Sequence, residues 1–132
     1  IAIPAGNQTG GSTLPYYVEG YFSGLSIDLA AENIRALKMC FLGNTAIGFD
    51  DYIKDVESAD VQTSLADQIA DKFDDCEQAI TNIGNPLSDK VDSDNATVQE
   101  AYMQLKSLVT YTKTDMASAL GLLITFSDND GD

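Results

Sequence analysis

Histidine and tryptophan are absent from the 132-residue chain. Without histidine there is no Ser-His-Asp or Cys-His arrangement, no imidazole general base and no imidazole metal ligand. Positive charge is scarce too: seven Lys and Arg stand against 21 Asp and Glu, a formal net charge of -14. That field repels phosphate backbones and anionic headgroups, so nucleic acid is not an expected partner. Long apolar runs are also missing. The longest, Ala119 to Ile124, is interrupted by Gly121 and falls far short of the roughly 20 residues of a membrane span. No phosphate-binding GxxxxGK[ST] loop is present, and no strand-like alternation or internal repeat emerges.

What remains for catalysis is carboxylates. Asp50-Asp51 and Asp74-Asp75 are adjacent in sequence, and neighbours on a helix diverge by about 100°. Neither pair converges on a substrate as the paired acids of a glycosidase must. Glu19, Glu57 and Glu100 stand alone. The loop acids Asp89, Asp92 and Asp94 lack both the glycine and the terminal glutamate of a calcium loop, and the tail acids Asp128, Asp130 and Asp132, with Gly131 among them, are not followed by that glutamate. The chain therefore reads as a non-enzyme, with no catalytic residue, metal or cofactor assigned.

Two cysteines, Cys40 and Cys76, are joined by two Asn-x-Ser/Thr sequons, Asn7-Gln8-Thr9 and Asn95-Ala96-Thr97, and by an opening Ile1-Ala2-Ile3-Pro4 that looks like a processed N-terminus. Together they predict an extracellular, secreted glycoprotein, with glycans at Asn7 and Asn95 and a Cys40–Cys76 disulfide. Closing that loop would stabilise the fold by about 3–4 kcal/mol.

Residues 1–20 are punctuated by glycine and proline and read as an irregular lead, with Tyr16, Tyr17, Tyr21 and Phe22 expected to pin it to the body. Beyond it the periodicity is helical. Leu25, Leu29, Ile34, Leu37 and Phe41 suggest one stripe over 23–41, and a weaker segment spans 45–59. Val61, Leu65, Ile69, Phe73, Cys76, Ile80 and Ile83 mark a long helix capped by Asp60 and ended by Gly84-Asn85-Pro86. Residues 84–95 read as a turn-rich connection. A fourth helix over 96–126 should kink at the threonines of 110–114, and its apolar end, 116–126, needs either a core or a partner to cover it. The expectation is an all-α, disulfide-closed four-helix up-down bundle: lead 1–20, helical bundle 21–126 and polar tail 127–132.

A bundle of this kind can open an apolar pocket between its helices. The candidate lining is Leu29, Ile34, Phe73, Tyr102, Leu105, Met116 and Leu120. The function so indicated is a secreted, non-catalytic binding module for a small apolar or lipid-like ligand. A self-assembling or protein-interaction component, with the chain itself as a possible partner, is the alternative. A third reading comes from resemblance. Ala36-Leu37-Lys38-Met39-Cys40, the second cysteine at Cys76, and Ala117 to Leu123 resemble the plant invertase and pectin-methylesterase inhibitors. The resemblance covers about 30–124 and implies a secreted four-helix bundle, a disulfide between two bundle helices and inhibition of a secreted enzyme. The family's cysteine-pinned N-terminal hairpin is absent, and Asn44 stands where its tyrosine falls.

Overall fold

A computed structural model describes residues 1–57 and 62–123. Its centre is a 19-residue helix whose sequence leaves little choice. Ala66, Ile69, Phe73, Cys76, Ile80 and Ile83 recur at three- and four-residue steps and are all buried. Ser64 caps its start, accepting from the Ala66 amide at 3.1 Å, and Gly84, at φ 73°, ends it. Asp60, expected as the cap, lies outside the described residues.

In chain order the helices are α1 (Ser26–Phe41), α2 (Phe49–Val56), α3 (Leu65–Ile83), α4 (Leu87–Ser93) and α5 (Asn95–Thr110). α5 continues through a π-helical turn, Tyr111–Met116, into a last helical turn, Ala117–Ala119. No strand occurs among the described residues. α1 and α5 each pack along α3 but scarcely touch one another.

The directions follow from specific contacts. Arg35 Nε donates to Glu77 at 2.7 Å, Lys38 Nζ to Asp74 at 2.5 Å, and Asn85 reaches the Ile27 amide and Asp28. α1 thus runs antiparallel to α3. Residues 97–104 lie beside 75–82, and Tyr111 lies beside Gln68 and Lys72, so α5 is antiparallel to α3 as well. α1 and α5 are therefore parallel to each other, with α3 between them.

The four-helix expectation is corrected to five helices among the described residues. Only three are long; α2 and α4 are short connectors. α4 was hidden because its apolar content is just Leu87 and Val91, one turn apart, inside a polar stretch. Both are buried, which is why two turns suffice to fix it. The disulfide expectation is also corrected: Cys40 and Cys76 are both free thiols. The α1–α3 register explains this. Arg35 faces Glu77 and Lys38 faces Asp74, so the α1 residues level with Cys76 lie about a turn before Cys40. Cys40 is also turned outward, whereas Cys76 is buried.

The α1 stripe is phased differently from the expected one. Ile27, Ala31, Ile34 and Phe41 are buried, while Leu25, Leu29 and Leu37 are exposed. The lead is held by Ala5 and Val18, both buried, and by Gln99 Nε2 donating to the Ala5 carbonyl at 2.8 Å. Of the four aromatics expected to pin it, Tyr16, Tyr17 and Phe22 are exposed, Phe22 fully so, and Tyr21 is half-buried.

Before α2, Gly43 and Gly48 bring the backbone so close that a Cβ on either would lie 2.4 Å from main-chain atoms. The loop closes only with glycine at both positions. Asp51 Oδ2 then accepts from the Gly48 amide at 3.0 Å and starts the helix.

Candidate functional site

Because α1 and α5 scarcely touch, a groove lies between them, floored by α3. From α1 it takes Ile34, Leu37, Cys40 and Phe41; from α3, Phe73; from α5, Leu105, Leu108 and Val109; and from the π turn, Thr112 and Met116. Phe49, the first residue of α2, completes the lining. The volume of this open groove is about 370 Å³, within the range of small-molecule pockets.

Local chemistry explains each wall. Ile34 and Phe41 sit at the edge of the buried α1 stripe, and Phe41 meets Phe73 with ring centroids 5.7 Å apart in a tilted pair. Leu37 and Cys40 lie further round the helix and are exposed. On the opposite wall Val109 is also exposed, and Leu108 is buried.

The threonines set the shape of the α5 end. Thr110 Oγ1 donates to the Lys106 carbonyl at 3.2 Å, and Thr112 Oγ1 donates to the Leu108 and Val109 carbonyls at 2.9 and 3.2 Å. Such back-bonding competes with the regular ladder, and the next six residues widen into the π turn. The kink or break expected at 110–114 is answered by this change of helix type, with the backbone staying helical. The same bonds occupy the Thr112 hydroxyl, so the groove presents no unsatisfied hydroxyl.

At the end of this segment Gly121, at φ 65°, closes a Schellman turn. The Leu122 amide reaches the Ala117 carbonyl at 2.8 Å and the Gly121 amide reaches the Ser118 carbonyl at 3.1 Å. Of the apolar stretch 116–126, Ala117 is buried, Met116 and Leu120 are half-buried, and Leu122 and Leu123 are exposed. Residues 124–126 lie outside the described residues.

Four of the seven expected lining residues meet in this groove: Ile34, Phe73, Leu105 and Met116. Leu29 is instead exposed near the Gly20 turn, Tyr102 is half-buried a turn before Leu105, and Leu120 packs against the core after the groove ends. Leu37, Cys40, Phe41, Phe49, Leu108, Val109 and Thr112 were missed. A usable signal was there: no Asp or Glu occurs in residues 33–49 or 101–114, although the chain has 21.

The sequon residues differ. Asn7 is exposed, whereas Asn95 is half-buried, its amide nitrogen donating to the Val91 and Ala5 carbonyls at 2.9 and 3.3 Å. Among the described residues no group of three or more acidic, cysteine or histidine side chains is placed to hold a metal, and no helix is long and apolar enough to cross a membrane. Burial pushes the Cys76 thiol up to about 11, with Asp75 adding to the shift and Lys72 opposing it.

No curated protein and no solved structure matches this chain. A family model does: the one described as Peptidase_M75: Imelysin matches residues 2–112. That span takes in the lead, all five helices and every groove residue except Met116. It is not the plant inhibitor family that the segment around Cys40 resembles. The chain belongs to the imelysin family.

Proposed function

We propose that this imelysin-family domain is a non-catalytic binding module that holds a small, apolar, lipid-like ligand in the groove between α1 and α5. The observation that carries the reading is the lining itself: no charged side chain contributes to a cavity of about 370 Å³. On a protein with a charge of -14, an exposed strip without carboxylates marks a contact surface. Apolar groups that leave water there contribute roughly 25 cal/mol per Å² buried. Family membership supplies no ligand, because folds host many functions. The word peptidase in the family description names no catalytic group in this chain, which has no histidine. Extracellular residence loses the support of paired cysteines, and the ligand reading does not depend on it.

Two measurements test the reading. Native and denaturing mass spectra of protein from its source should differ by the mass of a bound small molecule. A neutral fluorescent probe such as N-phenyl-1-naphthylamine should bind the stripped protein, and Leu37→Asp or Val109→Asp should weaken it at least tenfold. Both positions are about half exposed, at 55% and 48%, so the variants keep the fold. Absence of extra mass together with absence of probe binding would rule the reading out.

A further inference from the structure

Away from the groove, the aromatics of the lead face solvent as one connected surface. The Tyr16 and Tyr21 ring centroids are 5.3 Å apart in a tilted pair, and Tyr21 meets Phe22 edge to face at 5.2 Å. Tyr16 is exposed and Phe22 fully so. Leu29 carries the surface onto α1, its side chain lying 3.9 Å from where a Cβ on Gly20 would stand. Leu25, one turn earlier on the same face of α1, is exposed as well. None of these residues lines the α1–α5 groove.

The turn that presents Phe22 is fixed by its own hydrogen bonds. Gly20, at φ 67°, offers its carbonyl to the Ser23 amide at 3.0 Å, the Gly24 amide at 3.1 Å and the Ser23 hydroxyl at 2.8 Å. The buried Ser26 hydroxyl donates to the Glu19 carbonyl. A phenylalanine held in this way loses little conformational freedom when a partner covers it, which is how aromatic anchors act at interfaces. Phe22 adds nothing to the packed interior, so its position on the turn tip serves contact rather than stability.

The charges around the rings select the partner. Residues 1–34 contain no Lys or Arg, and their charged side chains are Glu19, Asp28 and Glu32. Asp28 stands beside Leu29 on the exposed part of α1, accepts from the Asn85 side-chain amide at 2.8 Å, and has no ion pair among the described residues. Glu32 shares Arg35 with Glu77. The short helix α4 packs against Pro15–Tyr17 and turns an acid toward the lead, Asp92 accepting from Thr13 at 2.6 Å. Its lysine, Lys90, reaches back to Gly84. Ring faces attract cations, and carboxylates beside them extend that attraction into solution.

We propose that Tyr16, Tyr21, Phe22, Leu25 and Leu29 form a docking surface for a basic segment of a partner protein. Its Arg and Lys side chains lie over the rings, with Asp28 at the edge. The test is fluorescence anisotropy of a labelled peptide of six Gly-Arg repeats at an ionic strength of about 0.15 M, where distant charges are screened. Phe22→Ser should weaken binding about fivefold, and Tyr16→Ser and Asp28→Asn about twofold each. Tyr52→Ser, an equally neutral change at an exposed tyrosine on α2, should leave it unchanged. Phe22→Ser and Tyr52→Ser keep the net charge, so a loss confined to Phe22→Ser reports the rings and not the overall field. Equal binding by the wild type and Phe22→Ser, or no binding by either, overturns the proposal. Phe22-dependent flotation with phosphatidylcholine vesicles, or Phe22-dependent dimerisation in sedimentation, without Phe22-dependent peptide binding, overturns it in favour of a membrane surface or a second copy of the chain.

Discussion

Two clefts of the same volume, about 370 Å³, flank the Tyr111–Met116 turn, and they share no lining residue. One faces α1 and is lined almost wholly by Ile, Leu, Phe, Val and Met. The other faces the outer side of α3 and is lined by Gln68, Asp71, Lys72, Asp74, Asp75 and Tyr111. A pocket's size therefore says nothing of its use here; chemistry separates the two. The polar cleft is a solvated surface whose charges are answered by water and by pairs such as Lys72–Asp75 at 2.6 Å. The apolar one exposes groups that water does not answer. The net charge of -14 describes the first side and misdescribes the second.

The contrast between the two clefts fails if the apolar one is merely core. Ile69 and Ile80 on α3 are 0% and 1% exposed, and truncating either to Ala should cost about 2–5 kcal/mol in denaturant unfolding. Leu37→Ala, on the groove wall, should cost under about 1 kcal/mol, because that side chain is already half in water. Equal losses at Ile69 and Leu37 would mean that the groove is part of the packed interior and has no room for a ligand.

The two thiols repeat the contrast at smaller scale. Cys40 is exposed at the groove, while Cys76 is buried with its pKa pushed up to about 11. Native protein should therefore alkylate at one thiol only, with the second reacting after unfolding. The alkaline behaviour follows from the same shift. In the unfolded chain the Cys76 thiol ionises near 9, so between about pH 9 and 11 the unfolded state sheds a proton that the folded state keeps. Stability is unaffected by this group below pH 9, falls as pH rises through that window, and loses roughly 2 kcal/mol in all. Cys76→Ala should flatten that part of the unfolding profile. A slope unchanged in the variant would show that Cys76 is not the group responsible.

The sequence made the central helix legible because α3 is apolar along one stripe from Ala66 to Ile83. It made α1 legible as a helix but not its orientation. Leu25, Leu29 and Leu37 share its spacing with Ile27, Ala31 and Ile34, and only packing against α3 decides which set is buried. α4 escaped notice because two apolar residues make no periodic signal. The disulfide was inferred from cysteine count and context, whereas its geometry depends on the α1–α3 register, which is fixed by Arg35–Glu77 and Lys38–Asp74. Four groove residues were legible as large apolar side chains. The rest, Leu37 and Val109 above all, were not, because nothing local separates an apolar residue facing a groove from one facing a core. The absence of acids from residues 33–49 and 101–114 separates them at longer range.

On the acidic side of α3 the energies at stake are smaller. Asp67, Asp71 and Asp75 follow one another at four-residue steps on α3, a spacing at which like charges meet and destabilise a helix by about 0.2–0.5 kcal/mol per pair. Asp67 stands in the first turn, where the helix dipole favours it, and Asp75 is paired with Lys72. Asp71 has neither a cap role nor an ion pair among the described residues and is exposed, so its charge serves solubility at a cost in stability. Asp71→Asn should raise stability by about half a kcal/mol at low salt, and the gain should vanish as added salt screens both neighbours. It should leave probe binding in the α1–α5 groove untouched, since Asp71 belongs to the opposite cleft. A stability gain accompanied by altered probe binding would mean that the two sides of the molecule are coupled through α3 and do not act as separate surfaces.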